Sequence, residues 1–366
     1  MTNPHYACRF SPATRRNMVV SVLARTALVF FLFSAPDSTL LSHPERLFTG
    51  SAQAATAVEF RENADIFFAR NDYAAAYPLF IKAAELGDPE AMNYLGIIYL
   101  DGLGLPPDHE KALAWFNRAA ALGLTDAQDN LGFMYGYNIG VPFDYIEAKK
   151  WYDLAAAKGH PVAAYHLGRL YQYGTGVAQD ADEAKYWFAF ARDGGVFALI
   201  ANDAHKGLSY AQWFVAELLS TDTIVARDYM SALKWYYDSA KQNNPLAQYQ
   251  IGRLHFFGLG VEQDKVEAVK WFRLAADQNN ANALNALAGC YESGAGVEQD
   301  LAQAEMLYQR ASQLGQLDAH FSLGFMYHDG VGVPRDISKG IRYYRLAARL
   351  GHQLARENLA RLGETW

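Results

Sequence analysis

Residues 161–195 read PVAAYHLGRLYQYGTGVAQDADEAKYWFAFARDGG, and the rest of the chain is understood by comparison with them. In the first half, Ala163, Leu167-Gly168 and Tyr171 stand at offsets of four, five and eight, one face of a 3.6-residue helix. Gly174-Thr175-Gly176-Val177 follows as a loop in which glycine can supply positive φ. Asp180 then stands where a side chain caps a second helix by accepting from its free N–H groups. That helix is expected to bury Ala184, Trp187 and Ala191, and Gly195 takes the position where a left-handed residue ends a helix.

Working outward, the same unit recurs. The loop glycine returns at Gly104, Gly140, Gly176, Gly260, Gly296 and Gly332, with 36-residue spacing except for one jump of 84. The jump hides a degenerate unit with Ile224 in the glycine slot, preceded by 12 extra residues, Val196–Gly207. Four residues after every slot stands an aspartate: Asp108, Asp144, Asp180, Asp228, Asp264, Asp300 and Asp336. Eleven residues after it stands a large side chain: Trp115, Trp151, Trp187, Trp235, Trp271, Leu307 or Tyr343. Mid-helix glycine costs about 1 kcal/mol relative to alanine. Its recurrence at Gly96, Gly132, Gly168, Gly252 and Gly324, with Ala216 and Ala288 in the other units, predicts close approach of a partner backbone.

These loop glycines, aspartates, alanines and Trp/Tyr positions resemble the Sel1-like repeat family, relatives of the tetratricopeptide repeat. The resemblance covers seven units, 88–354, of which the fourth is degenerate. A related, glycine-poor helix pair occupies 55–87, and residues 355–366 finish a C-terminal capping helix. It implies an all-α fold, a right-handed α-solenoid superhelix of stacked helix-turn-helix repeats. A lone helix pair cannot bury its apolar face, so neighbours supply the core. It also implies a non-enzymatic scaffold or adaptor. Cysteine-rich exported members, some described as penicillin-binding or β-lactamase-like, carry a disulfide in each unit. This chain has only Cys8 and Cys290, so that activity is not carried over.

The amino terminus differs from the repeats. Residues 1–54 carry five arginines and two acids, whereas the remainder of the 366-residue chain stands at −10, for a total of −7. Arg9, Arg15 and Arg16 precede the apolar stretch 18–35, which Arg25 interrupts. About 20 apolar residues are needed to span a bilayer, but only about 7–15 for a signal-peptide core. Ser51-Ala52-Gln53-Ala54 offers a small-x-small cleavage site after Ala54. The reading is a signal peptide or membrane-targeting segment over 1–54, started from Met1 or Met18. It makes the protein exported and periplasmic; the alternative is an uncleaved inner-membrane anchor, the chain's one route to a membrane.

Composition and motifs narrow the chemistry. Hydrophobic residues at 51% and charged residues at 19% exclude a mainly disordered chain. The acidic body is unsuited to nucleic acid, which is held by clustered Lys and Arg. The ten histidines make no metal-ligand spacing, and each Gly-x-Gly lacks the strand or the Gly-Lys-Ser/Thr of a nucleotide loop. No metal, cofactor or catalytic residue is therefore assigned. His255 and Cys290 take slots that are apolar or aromatic elsewhere, so both read as core.

What remains is surface. Three before and one after the helix glycine, the first helices carry a stripe that includes Asp129 and Phe133. Its candidate partner-binding residues are Tyr165, Arg169, Trp213, Glu217, Tyr249, Arg253, Phe321 and Phe325. Aromatic and arginine side chains are enriched in interface hot spots. In one reading they line a concave groove for a protein or peptide partner, and alanine at Trp213 or Tyr249 weakens binding while sparing stability. In the other they pack between adjacent first helices. A carbohydrate or peptidoglycan-binding module, with aromatic rings stacked on sugars and weak hydrolase activity, is the alternative function. The Val196–Gly207 insertion reads either as drift at a tolerant joint or as a hinge or partner-contacting lip.

Overall fold

The computed structural model describes residues Ala57–Trp366; the targeting segment and its cleavage site lie outside the described residues. Those residues form one compact unit. It opens with the pair α1 (Ala57–Phe68) and α2 (Tyr73–Glu85). Then come α3 (Pro89–Asp101) and α4 (His109–Ala121), α5 (Thr125–Gly136) and α6 (Tyr145–Ala157), α7 (Pro161–Tyr173) and α8 (Ala181–Asp193). An unpaired helix, α9 (Val196–His205), intervenes. The stack resumes with α10 (Ser209–Leu219) and α11 (Tyr229–Lys241), α12 (Pro245–Phe257) and α13 (Lys265–Asp277), α14 (Ala281–Ser293) and α15 (Leu301–Gln313). It ends with α16 (Leu317–Asp329), α17 (Ile337–Arg349) and the cap α18 (Gln353–Arg361). No strand occurs among the described residues, and the fold is the expected right-handed α-solenoid.

All seven capping aspartates perform as the spacing predicts: each accepts a backbone N–H in the first turn of the helix it precedes. Asp72 does the same for α2, although that pair lacks the loop glycines. In the degenerate unit Ile224 is not left-handed, so its loop follows a path that needs no glycine. Asn138 takes φ 56°, in the register where Gly102 and Gly174 end their helices.

Two packing expectations are corrected. The helix glycines face an aromatic ring, not a backbone. A Cβ built on Gly96 would lie 2.4 Å from the Phe116 ring, and one on Gly132 2.5 Å from that of Tyr152. Accordingly, the deep side chain of each second helix comes one residue after the tryptophan position: Phe116, Tyr152, Phe188, Tyr236, Phe272, Tyr308 and Tyr344 are buried. Trp115, Trp151, Trp187, Trp235 and Trp271 are only partly buried against the core. The tryptophan row is conspicuous because Trp is rare; the neighbouring Phe/Tyr row is the one that fills the glycine notch.

This geometry reverses the usual sign of a helix substitution. Gly96→Ala should lose about 1–3 kcal/mol through overpacking, where propensity alone promises a gain of about 1 kcal/mol. Gly289→Ala, whose new methyl would meet only the Tyr308 hydroxyl at 3.6 Å, should be neutral or stabilising. Denaturant titration of both variants checks the pair.

The insertion is a helix, not a loop. α9 starts from left-handed Gly195, buries Val196 and Ala204, half-buries Phe197 and Ile200, and leaves Leu199 exposed.

The stack also curls until non-neighbouring pairs meet. The Ser209 hydroxyl donates to Asp101 Oδ1 at 2.6 Å, and the Tyr210 N–H donates to the same oxygen at 3.3 Å. The Ala281 N–H donates to Asn138 Oδ1 at 3.1 Å, and the Phe143 N–H donates to the Leu314 carbonyl at 2.9 Å.

Candidate functional site

The eight stripe residues lie on α7, α10, α12 and α16, but not on one open wall. Tyr165 and Trp213 are 1% and 2% exposed, which places both in the core. Trp213 sits among Phe133, Tyr137 and Phe214, with ring centroids 5.7, 5.1 and 6.0 Å away. Tyr165 packs on Phe188 and Phe214. Rings carried by first helices of different pairs meet one another here, Phe133 packing on both Tyr210 and Trp213, and so are shut off from solvent. The expectation that Trp213→Ala spares stability is therefore corrected.

Glu217 is likewise buried and forms a junction. It accepts from the Arg169 guanidinium, from the Tyr236 hydroxyl at 3.0 Å and from Gln250 Nε2 at 2.8 Å. A buried carboxylate persists only when paired and hydrogen-bonded, and these donors come from α7, α11 and α12. Arg253 joins the same network by donating to Gln250 Oε1 at 3.0 Å. Arg169 lies over the rings of Tyr137 and Tyr173, Arg253 over that of Tyr249.

The remaining members stay nearer solvent. Arg169, Tyr249 and Arg253 are half-buried. Phe321 is half-buried and stacks on His352 at 4.5 Å, toward the C-terminal cap, while Phe325 is 40% exposed. The structure thus joins Arg169, Glu217 and Arg253 through one network and assigns Tyr165 and Trp213 to the interior.

Two surface residues were missed. Tyr173 and Phe257 stand one helical turn beyond Arg169 and Arg253, on the same helix faces, and are 59% and 57% exposed. Other units carry Asp101, Tyr137, Thr221, Ser293 or Asp329 there, so the repeat pattern gives only a mixed signal. Only the aromatic four residues after an arginine, in two units, could have drawn notice.

The titratable groups offer little chemistry. Burial pushes the Cys290 thiol up to about 11, away from the nucleophilic thiolate. His255 is half-buried, not the core residue expected, and its Nε2 pairs with the Tyr237 hydroxyl at 3.2 Å. Among the described residues no group of three His, Cys, Asp or Glu is placed to hold a metal ion. None of the described helices is long and apolar enough to cross a membrane.

Paired helices, capped by aspartate, notched by glycine and packed pair against pair, define a repeat solenoid. The Sel1 repeat model matches residues 51–88, 89–124, 125–160, 161–196, 209–244, 245–280, 281–316 and 317–352, and the chain belongs to that family. The match counts the N-terminal pair as a further repeat, giving eight, and leaves out 197–208, the segment of α9. Among solved structures, the chain is similar to c5321, a protective antigen of uropathogenic Escherichia coli with an SLR fold. Identity is 28%, coverage 83% of this chain and 71% of that one, and the TM-score 0.41. It is also similar to a Sel1 repeat protein from Oxalobacter formigenes, at 26% identity, covering 87% and 99%, with a TM-score of 0.39. Cysteine rich protein B of Helicobacter pylori is 24% identical over 35% of this chain and 92% of its own, with a TM-score of 0.29. No curated protein matches the chain. Proteins built from Sel1 repeats generally mediate protein–protein interaction.

Proposed function

We propose that this protein is a non-enzymatic adaptor of the bacterial cell envelope, exported by its N-terminal segment, that holds a protein or peptide partner on the first-helix side of the solenoid. The observation that carries the reading is the pair of exposed rings, Tyr173 and Phe257, each one turn from a half-buried arginine. Ring and guanidinium together are the chemistry that dominates protein interfaces. Arg169, Tyr249, Arg253 and Phe325 belong to this surface; Tyr165, Trp213 and Glu217 support it from beneath.

Photoreactive phenylalanine analogues at positions 173 and 257 test the proposal, with position 122 as an exposed control, in envelope preparations. A discrete protein adduct from 173 or 257, absent from 122 and lost with Arg253→Ala, is expected. Equal labelling at all three positions overturns the site. Binding of the purified protein to insoluble cell wall, with no protein adduct, would replace the adaptor by a carbohydrate module.

A further inference from the structure

The geometry points to a clasp: Asp101 and Asn138, on the early helix pairs, cap the first turns of α10 and α14 on later pairs and so hold the curled solenoid closed. Capping is ordinarily local. Each first helix from α3 to α16 begins at a residue whose own side chain accepts a first-turn N–H, α14 included through Asn280, except α5 and α10. For α10 the preceding residue is Leu208, which has no side-chain acceptor, and the deficit is met from 109 residues away by Asp101 Oδ1. The first four N–H groups of a helix have no partner within it, so this carboxylate completes an end that the local sequence leaves incomplete.

The second cap accounts for a departure from the repeat pattern. Asn138 adopts the left-handed conformation that glycine supplies at Gly102, Gly174, Gly258, Gly294 and Gly330. Asparagine tolerates that conformation. Its Oδ1 takes the Ala281 N–H, while its Nδ2 donates to the Val141 carbonyl at 2.9 Å and fixes the side chain. A third bond, from the Phe143 N–H to the Leu314 carbonyl, lies beside it.

The seam is discontinuous. A cleft of about 400 Å³ runs along it, lined by Tyr137, Asn138, Tyr210, Leu246, Gln278 and Leu314 among others. Across the same seam the Phe133 ring packs on Tyr210 and Trp213, and Tyr137 packs on Trp213, so the polar bonds of the clasp act beside this apolar contact, at the cleft edge where local opening is easiest. α9, inserted between α8 and α10, stands where the chain passes from one side of the clasp to the other.

Amide hydrogen exchange, resolved by residue on the full chain, tests the clasp. Asp101→Ala should speed exchange at Tyr210, and Asn138→Gly at Ala281, each by roughly tenfold, as expected for the loss of one hydrogen bond. The decisive reporter is the Phe143 amide, whose bond neither substitution touches. It should exchange faster in the double variant, while amides within α1 and α2 keep wild-type rates. Asp101→Asn, which retains an acceptor, should restore slow exchange at Tyr210. Asn138→Gly installs the residue that other units carry in this register, so it tests the seam even if Asp101→Ala does not fold. Unchanged protection at Ala281 in Asn138→Gly, or at Phe143 in the double variant, overturns the clasp.

Discussion

Trp213→Ala lowers the stability of the solenoid by about 3–5 kcal/mol, the range for truncating a buried large side chain. The side chain is 2% exposed and enclosed by Phe133, Tyr137 and Phe214, so its removal leaves a cavity between α5 and α10. Trp213→Phe should lose much less. The Trp213 Nε1 atom is buried without a hydrogen-bond partner, so phenylalanine sacrifices no bond and removes a desolvated polar group. Thermal or urea unfolding separates the two variants. A change below about 1 kcal/mol in Trp213→Ala, with partner binding weakened, would return this residue to an open groove.

Asp129→Asn raises stability at alkaline pH and leaves it nearly unchanged in acid. Burial pushes the Asp129 carboxyl up to about 7; the neighbouring His160 works against that rise, and Asp126 adds to it. Asp129 Oδ1 is buried with no hydrogen-bond partner and lies 4.0 Å from His160 Nδ1. Because the folded pKa exceeds the ordinary carboxylate value, the group's contribution is fully present below about pH 4 and is lost as pH rises through 7. Asparagine does not titrate, so the variant escapes that loss. Each tenfold difference in proton affinity between the folded and unfolded chain is worth about 1.4 kcal/mol. The difference between variant and wild type should therefore be close to zero at about pH 4 and grow to roughly 2–4 kcal/mol by about pH 8. His160 tempers the gain: burial opposes its charge, yet the bond to Asp126 and the charge of Asp129 raise its pKa, and the variant removes that last support. Unfolding midpoints measured across this pH range decide it, and a pH-independent difference would contradict the buried-carboxylate account.

Much of the fold was legible because its signals are local. Asp108 and its counterparts cap the helices they precede, and the residues they serve lie within four positions in sequence. The deep aromatic row was equally present, from Phe116 to Tyr344, but the tryptophan before it drew the assignment. Periodicity cannot distinguish adjacent positions when both are large; the notch at Gly96 does, because only one ring fits it. The stripe was harder. Phe133 and Phe325 hold the same place in their units, one residue after the helix glycine, yet one is 8% and the other 40% exposed. Their exposure depends on the curvature of the stack and on which helices lie opposite, and no single unit encodes either.

By itself the sequence determined the helix pairs, their caps, the position of the insertion and membership of the repeat class. Each follows from interactions within one unit or between adjacent units, and the 36-residue period writes them out repeatedly. Only the tertiary structure decided that the insertion is a helix, that Trp213 lies in the core, and that Asp101 and Asn138 reach helices more than a hundred residues away. Small rotations between neighbouring pairs accumulate along a solenoid, so contacts across its curl arise from the sum of many interfaces. A local pattern carries no record of that sum.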